Sequence, residues 1–255
     1  MYMAAAASYD DNAQSCVTHT TNGGKVLKQV ILDCDYFHDK CSAFVYIDDA
    51  TKVIGLGYRG STNAAQIVAQ VEESAFEKHV AFSAGGKVSK YFNDAFVKLW
   101  DGGIGDAITQ ATTAHPEYQC YVSGHSLGGA VASMAAMYMA KNNICNKDNL
   151  HVYTFGQPRP GDKTYATIHD QLIPNSYRVT HHKDLVAHIP PQFMNYKHNM
   201  EEIFYNNKMN LGDTYKECGK DEDDKCSDGF LDLSIDDHVN YYGKHVSGWG
   251  NDGCV

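Results

Sequence analysis

No apolar run in this chain reaches the ~18 residues of a membrane-spanning helix, which excludes an integral helical membrane protein. Positive charge is also scarce. Lys and Arg total 21 against 31 Asp and Glu, for a net charge of −10. Binding to nucleic acid through its phosphates is therefore excluded. Electrostatic docking on an anionic membrane is equally disfavoured, so any lipid contact has to be hydrophobic. There is no Cys-x2-Cys pair, the spacing expected of a structural zinc site. No N-x-[ST] sequon, internal repeat or linker-like stretch occurs. The N-terminal Met1-Tyr2-Met3-Ala4-Ala5-Ala6-Ala7 lacks both the charged region and the full apolar core of a signal peptide. It reads as a leftover segment ahead of a mature secreted chain.

What is present suits a globular core. The 255 residues are 43% hydrophobic, enough for a single domain over 1–255. Eight cysteines make an even number and sit largely in polar, loop-like surroundings, which reads as disulfides and an oxidising, extracellular setting. Cys34 and Cys41 bracket a short polar stretch, Cys218 and Cys226 bracket a strongly acidic one, and Cys16 and Cys254 lie near the two ends. A bridge between the ends would restrict the unfolded chain by about 5 kcal/mol in the loop-entropy picture.

Strand-like and helix-like stretches alternate. Residues 43–47 and 53–58 read as an antiparallel hairpin across the turn residues 48–52. In 62–76, Ile67, Val68 and Val71 share one helical face. A long helix is predicted from Lys87 to about Thr113, with Phe92, Ala95, Phe96, Leu99 and Trp100 inward and glycines 102, 103 and 105 weakening its middle. Further strands are predicted at 119–123, 151–155 and 176–181, a helix at 162–171, and hairpin strands and loops after Pro191. The pattern indicates an α/β fold with a mostly parallel central sheet and an antiparallel edge.

Gly124-His125-Ser126-Leu127-Gly128 places a serine in a G-x-S-x-G pentapeptide, the mark of a nucleophile elbow. The bare pattern occurs by chance in about one chain in ten of this length, so its flanks carry the weight. A short apolar strand precedes it, and a helix-forming run from Gly129 to Ala140, rich in small residues, follows. Strand, elbow and helix form the context in which the serine hydroxyl stands exposed above a sheet.

Such a serine needs a histidine base, and the base needs a carboxylate to set its tautomer and stabilise the imidazolium. In α/β-hydrolases the carboxylate and then the histidine follow the serine in the chain. Asp184 follows directly on a predicted strand. Its rival Asp162 is separated from the preceding strand by Pro158 and Pro160 and reads as a helix N-cap. Of the later histidines, His188 is too close to Asp184, and His198 falls in a predicted strand. His238 lies on a late loop, and His245 stays open as its rival. His181, His182 and Asp184 also offer a metal-cluster reading, opposed by the opposite facing of adjacent strand residues.

With these residues in place, the chain resembles the class 3 lipase family, the fungal-type triacylglycerol lipases and their animal relatives. Tyr58-Arg59-Gly60-Ser61-Thr62 resembles the family's oxyanion loop, and Gly124 to Ala130 its nucleophile block. Thr154 to Gly161 resembles the strand and loop that follow, Arg178 to Pro191 the acid block, and Asp237 to Gly243 the histidine block. The resemblance spans roughly 25–243. It implies the α/β-hydrolase fold with helices on both sheet faces, Ser126 as nucleophile, Asp184 as acid and His238 as base. It further implies an oxyanion hole from the backbone N–H groups of Ser61 and Leu127, and a lid helix at about 62–76. Ile67, Val68 and Val71 would form the lid's apolar face. It implies disulfides Cys16–Cys254, Cys34–Cys41 and Cys218–Cys226. Cys120 and Cys145 remain as a fourth pair, with a buried free thiol at Cys120 as the alternative.

The resulting expectation is a secreted serine lipase acting on carboxylic esters of glycerolipids, with a lipid ester as partner and no metal, organic cofactor or nucleic acid. Phospholipase A1 and feruloyl-type esterase use the same machinery and are the enzyme rivals. A non-catalytic secreted lipid-binding protein is the rival from another class. Oligomeric state is not legible in the residues.

Overall fold

The computed structural model describes residues 1–34, 40–61, 78–219, 221–230 and 232–255. The lid stretch 62–76, with Ile67, Val68 and Val71, lies outside the described residues. The strands, in chain order, are β1 (Lys25–Asp33), β2 (Lys40–Asp48), β3 (Val53–Tyr58), β4 (His79–Ala81), β5 (Lys87–Ser89), β6 (Gln119–His125), β7 (Leu150–Phe155), β8 (Ser176–His181), β9 (Glu201–Tyr205), β10 (Lys216–Cys218), β11 (Asn240–Tyr241) and β12 (Lys244–His245). Among the described residues, one eight-stranded sheet runs in the order β1-β2-β3-β6-β7-β8-β9-β10. Strands β3, β6, β7, β8 and β9 are mutually parallel; β1, β2 and β10 add antiparallel pairs at both edges.

The central strands β3, β6 and β7 are largely buried because helices pack on them. The helices are α1 (Tyr2–Ala7), α2 (Ala13–Thr20), α3 (Lys90–Leu99), α4 (Gly105–Ala114), α5 (Leu127–Lys141), α6 (Lys163–Leu172), α7 (Ile235–Val239) and α8 (Val246–Asn251). Helix α5 is buried almost all round, from Leu127 to Met137 and again at Met139. Its small residues Gly129, Ala130 and Ala132 let it lie close to β6 and β7. Asp162 caps α6, its side chain accepting the Tyr165 N–H at 2.8 Å.

Several elements differ from the sequence reading. The predicted long helix 87–113 begins with β5 and then divides into α3 and α4. A wide turn at Trp100–Ile104 separates the two, and Gly103 there takes φ +119°. A left-handed residue ends helical propagation, and glycine adopts it at little steric cost. β9 is not part of a simple hairpin region: it extends the parallel sheet beside β8, and only β10 folds back on it. His198 precedes β9 and is in no strand.

The largest correction concerns the N-terminus. Residues 2–7 are no leftover: α1 packs against α8, α2 and β6, and Ala4 to Ala7 are at most 1% exposed. Alanine is the strongest helix former and brings no bulk. The backbone can therefore approach so closely that a Cβ at Gly57 of β3 would lie 2.5 Å from the Ala4 carbonyl oxygen. Four disulfides are formed: Cys16–Cys254, Cys34–Cys41, Cys120–Cys145 and Cys218–Cys226. Cys120 is thus not a free thiol. The first bridge spans 238 residues and ties α2 to the last turn of the chain.

Candidate active site

Ser126 stands between β6 and α5 with φ 60° and ψ −133°, a conformation that L-residues rarely adopt. The flanking glycines let the turn close. A side chain at Gly124 would run into the backbone of Gly128, and one at Gly128 into the carbonyl of Tyr58. Ser126 N–H donates to the Phe155 carbonyl at 2.9 Å, which pins the elbow to the end of β7.

Asp184 follows β8 and is 1% exposed. Its carboxylate accepts from three donors: His238 Nδ1, at 2.9 Å from Oδ1 and 3.0 Å from Oδ2, the Tyr241 hydroxyl at 2.8 Å from Oδ2, and the Val186 N–H at 2.8 Å from Oδ1. Burial alone would raise this carboxyl. The His238 imidazole, the hydrogen bonds from His238 and Tyr241 and a contribution from His125 oppose it and bring its pKa down to about 2. An ionised Asp184 only accepts, so Nδ1 of His238 carries a proton, and the neutral tautomer with this hydrogen bond has its lone pair on Nε2. Among the described residues neither Ser126 Oγ nor His238 Nε2 has a hydrogen-bond partner, and both residues are fully buried.

Ser61 and Leu127 line one small cavity of about 30 Å³ beside the elbow, together with Arg59, Gly60 and Val131. Leu127 is the first residue of α5, where a backbone N–H has no intrahelical acceptor. Gly60 presses on the serine: a Cβ there would lie 2.8 Å from Ser126 Cβ.

The rival residues are engaged elsewhere. Both ring nitrogens of His188 face carbonyl oxygens, those of Asp184 and Ser227. His198 Nε2 meets the Ala187 carbonyl at 2.6 Å. His245 is exposed and caps α8, Nδ1 accepting the Gly248 N–H at 3.2 Å. The metal-cluster reading of His181, His182 and Asp184 has no geometric basis. His181 faces the carbonyls of Asp237 and Asn207, and His182 faces the Asp237 carboxylate. The described Glu202–Cys218–Cys226 grouping offers no thiolates, because its two sulfurs are bonded to each other.

Two residues of this site escaped the sequence reading. Tyr241 supplies one of the three donors to Asp184 from the strand after His238. Gly156, at the end of β7, takes φ +57°, and a Cβ there would lie 2.5 Å from Asp184 Oδ2 and 2.7 Å from His238 Nδ1. The glycine directly after a predicted strand was the available signal.

Residues 56–194 match a family model described as Lipase (class 3). The chain is 28% identical to a lipase of Caenorhabditis elegans, over 98% of this chain and 79% of that one. It is 31% identical to a secreted mono- and diacylglycerol lipase of Fusarium solani over 78% of this chain, and spans 59% of that relative's length. The crystal structure of a lipase from Rhizopus microsporus var. chinensis superposes with a TM-score of 0.83 at 26% identity, covering 96% of this chain and 86% of that one.

Proposed function

Because this chain belongs to the class 3 lipase family and is a serine carboxylic ester hydrolase, we propose that it hydrolyses acyl esters of glycerolipids, triacylglycerols foremost, through an acyl-Ser126 intermediate. In this reading His238 Nε2 takes the Ser126 hydroxyl proton as Oγ attacks the ester carbonyl. The backbone N–H groups of Ser61 and Leu127 stabilise the oxyanion, each contributing about 3–4 kcal/mol to the transition state. His238 then returns the proton to the departing alcohol. Water, deprotonated by the same nitrogen, releases the fatty acid and regenerates Ser126. Asp184 stays ionised throughout and holds the imidazolium.

The observation that carries this reading is the buried pair of unpartnered atoms, Ser126 Oγ and His238 Nε2, behind an Asp184–His238 hydrogen bond of 2.9 Å. Ser126 has no exposed surface, so an ester reaches it only after the covering groups move. We assign that movement to the lid at 62–76 on sequence grounds, within a single domain over 1–255. Secretion is supported by the four disulfides and by the oxidising setting in which such bonds persist. No helix among the described residues is long and apolar enough to cross a membrane.

Ser126→Ala is expected to lower turnover by about a millionfold and to abolish labelling by a fluorophosphonate probe. Ester hydrolysis retained in that variant defeats the assignment. Parallel rates on triolein, diolein, a phosphatidylcholine and methyl ferulate separate the lipase reading from its phospholipase and feruloyl esterase rivals.

A further inference from the structure

His125 sits one residue before the nucleophile, is 2% exposed, and takes no part in the chemistry above. Its ring lies against that of His238, with centroids 4.6 Å apart. Nε2 is 2.7 Å from the main-chain oxygen of His238, and Nδ1 is 2.7 Å from the hydroxyl of Tyr9. A carbonyl oxygen only accepts, so Nε2 carries a proton. Burial, with His238 adding to it, brings the His125 pKa down to about 3, so the ring is neutral and Nδ1 holds a lone pair. Tyr9 therefore donates to Nδ1. Burial, opposed only in part by Arg59 and the Gly60 backbone, keeps the Tyr9 hydroxyl protonated far above its ordinary range. The same Gly60 backbone stands against the Tyr9 oxygen: a Cβ on Gly60 would lie 2.8 Å from it and 2.8 Å from Ser126 Cβ.

The His238 carbonyl needs such a partner. His238 belongs to the five-residue helix α7, which ends at Val239, too early for its carbonyl to find the usual acceptor–donor pairing along a helix. The histidine's backbone lies outside the central sheet, and His125 ties it to the elbow from across 113 residues.

We propose that Tyr9 is a positioning residue for ester hydrolysis. Its hydroxyl fixes His125 in the tautomer that anchors the His238 main chain while resting on the oxyanion loop at Gly60, so one N-terminal residue holds base and oxyanion donors in a common register. The inference rests on the Ser126–His238–Asp184 reading and extends it to a segment remote in sequence.

The test is a double-mutant cycle on the full chain, with kcat for a soluble short-chain p-nitrophenyl ester expressed per fluorophosphonate-titrated site. Tyr9→Phe keeps the ring and removes only the donor. It is expected to lower kcat about tenfold and leave KM within about twofold, because positioning acts on the transition state. His125→Gln places an amide N–H near the Nε2 position and needs no tautomer fixed by Tyr9, so in that background Tyr9→Phe is expected to cost less than about twofold. A residue that only stabilised the fold would lower the melting temperature and the titratable fraction while leaving kcat per site unchanged. That result overturns the proposal, and so does a full tenfold loss in the His125→Gln background. Should Tyr9→Phe not fold, His125→Phe carries the test: a loss of about tenfold or more in kcat per site supports the relay, and an unchanged value overturns it. Absence of probe labelling in the unmutated protein would instead sink the serine-hydrolase reading itself.

Discussion

Gly156→Ala is the substitution whose effect follows most directly from the geometry. The residue takes φ +57°, and its missing Cβ would stand 2.5 Å from Asp184 Oδ2, 2.7 Å from His238 Nδ1 and 2.9 Å from His238 Cε1. Ordinary contact begins at 3.4 Å, so Asp184 Oδ2 must retreat by 0.9 Å and His238 Nδ1 by 0.7 Å. The methyl group crowds both partners of the Asp184–His238 hydrogen bond and lengthens it. Misplacement of reacting groups on the order of 1 Å costs about 100-fold in rate, so kcat is expected to fall by about that factor. The left-handed backbone adds about 1–2 kcal/mol of destabilisation. Gly103→Ala separates the two effects: that residue also has positive φ, but its nearest neighbour is the Lys28 side chain at 3.0 Å. It is expected to lose stability in urea while keeping kcat per titrated site. If Gly156→Ala, assayed on a soluble ester with sites counted by fluorophosphonate, keeps kcat within about threefold of the unmutated enzyme, the reasoning is refuted.

Tyr241→Phe removes one donor from a buried carboxylate and is expected to cost about 1–3 kcal/mol at neutral pH by urea denaturation. The folded pKa of Asp184 lies below its ordinary value, so the ionised form stabilises the fold above pH ~4, and that contribution is lost as pH falls through about 2. Tyr241→Phe raises the folded value, so the loss is complete at higher pH and the gap between variant and parent narrows toward pH 3; a gap of constant size from pH 7 to 3 would contradict the assignment. Replacing Cys16 and Cys254 together by serine opens a loop of 238 residues and is expected to lower unfolding free energy by up to about 5 kcal/mol. An unchanged denaturation midpoint would show that the bridge does not constrain the chain.

The elbow was legible because strand, pentapeptide and helix occupy one continuous stretch, and the glycines report a local steric need that no distant contact alters. Asp184 was legible as the first acidic residue after β8. Position alone did not separate His238 from His245, since both lie on late, short elements. Their difference is tertiary: one meets Asp184 across 54 residues, while the other caps an exposed helix. The split of the predicted 87–113 helix was only half visible, because three glycines weaken a helix without saying which one turns left-handed.

By itself the sequence determined the turn at Ser126, the alternation that builds a parallel sheet, and the order in which Ser126, Asp184 and His238 follow one another. Each depends on neighbours within a few residues or on a period of side-chain polarity. The fold alone decided what Met1 to Tyr9 would do. A run of alanines has no polar face, so nothing in its pattern announces burial. Only the close approach permitted by Gly57 gives α1 a seat on the sheet, with the Tyr9 hydroxyl then 2.7 Å from His125. The fold likewise decided that Gly156 and Tyr241 would frame Asp184, because hydrogen bonds and clashes between distant segments exist only once the strands are paired.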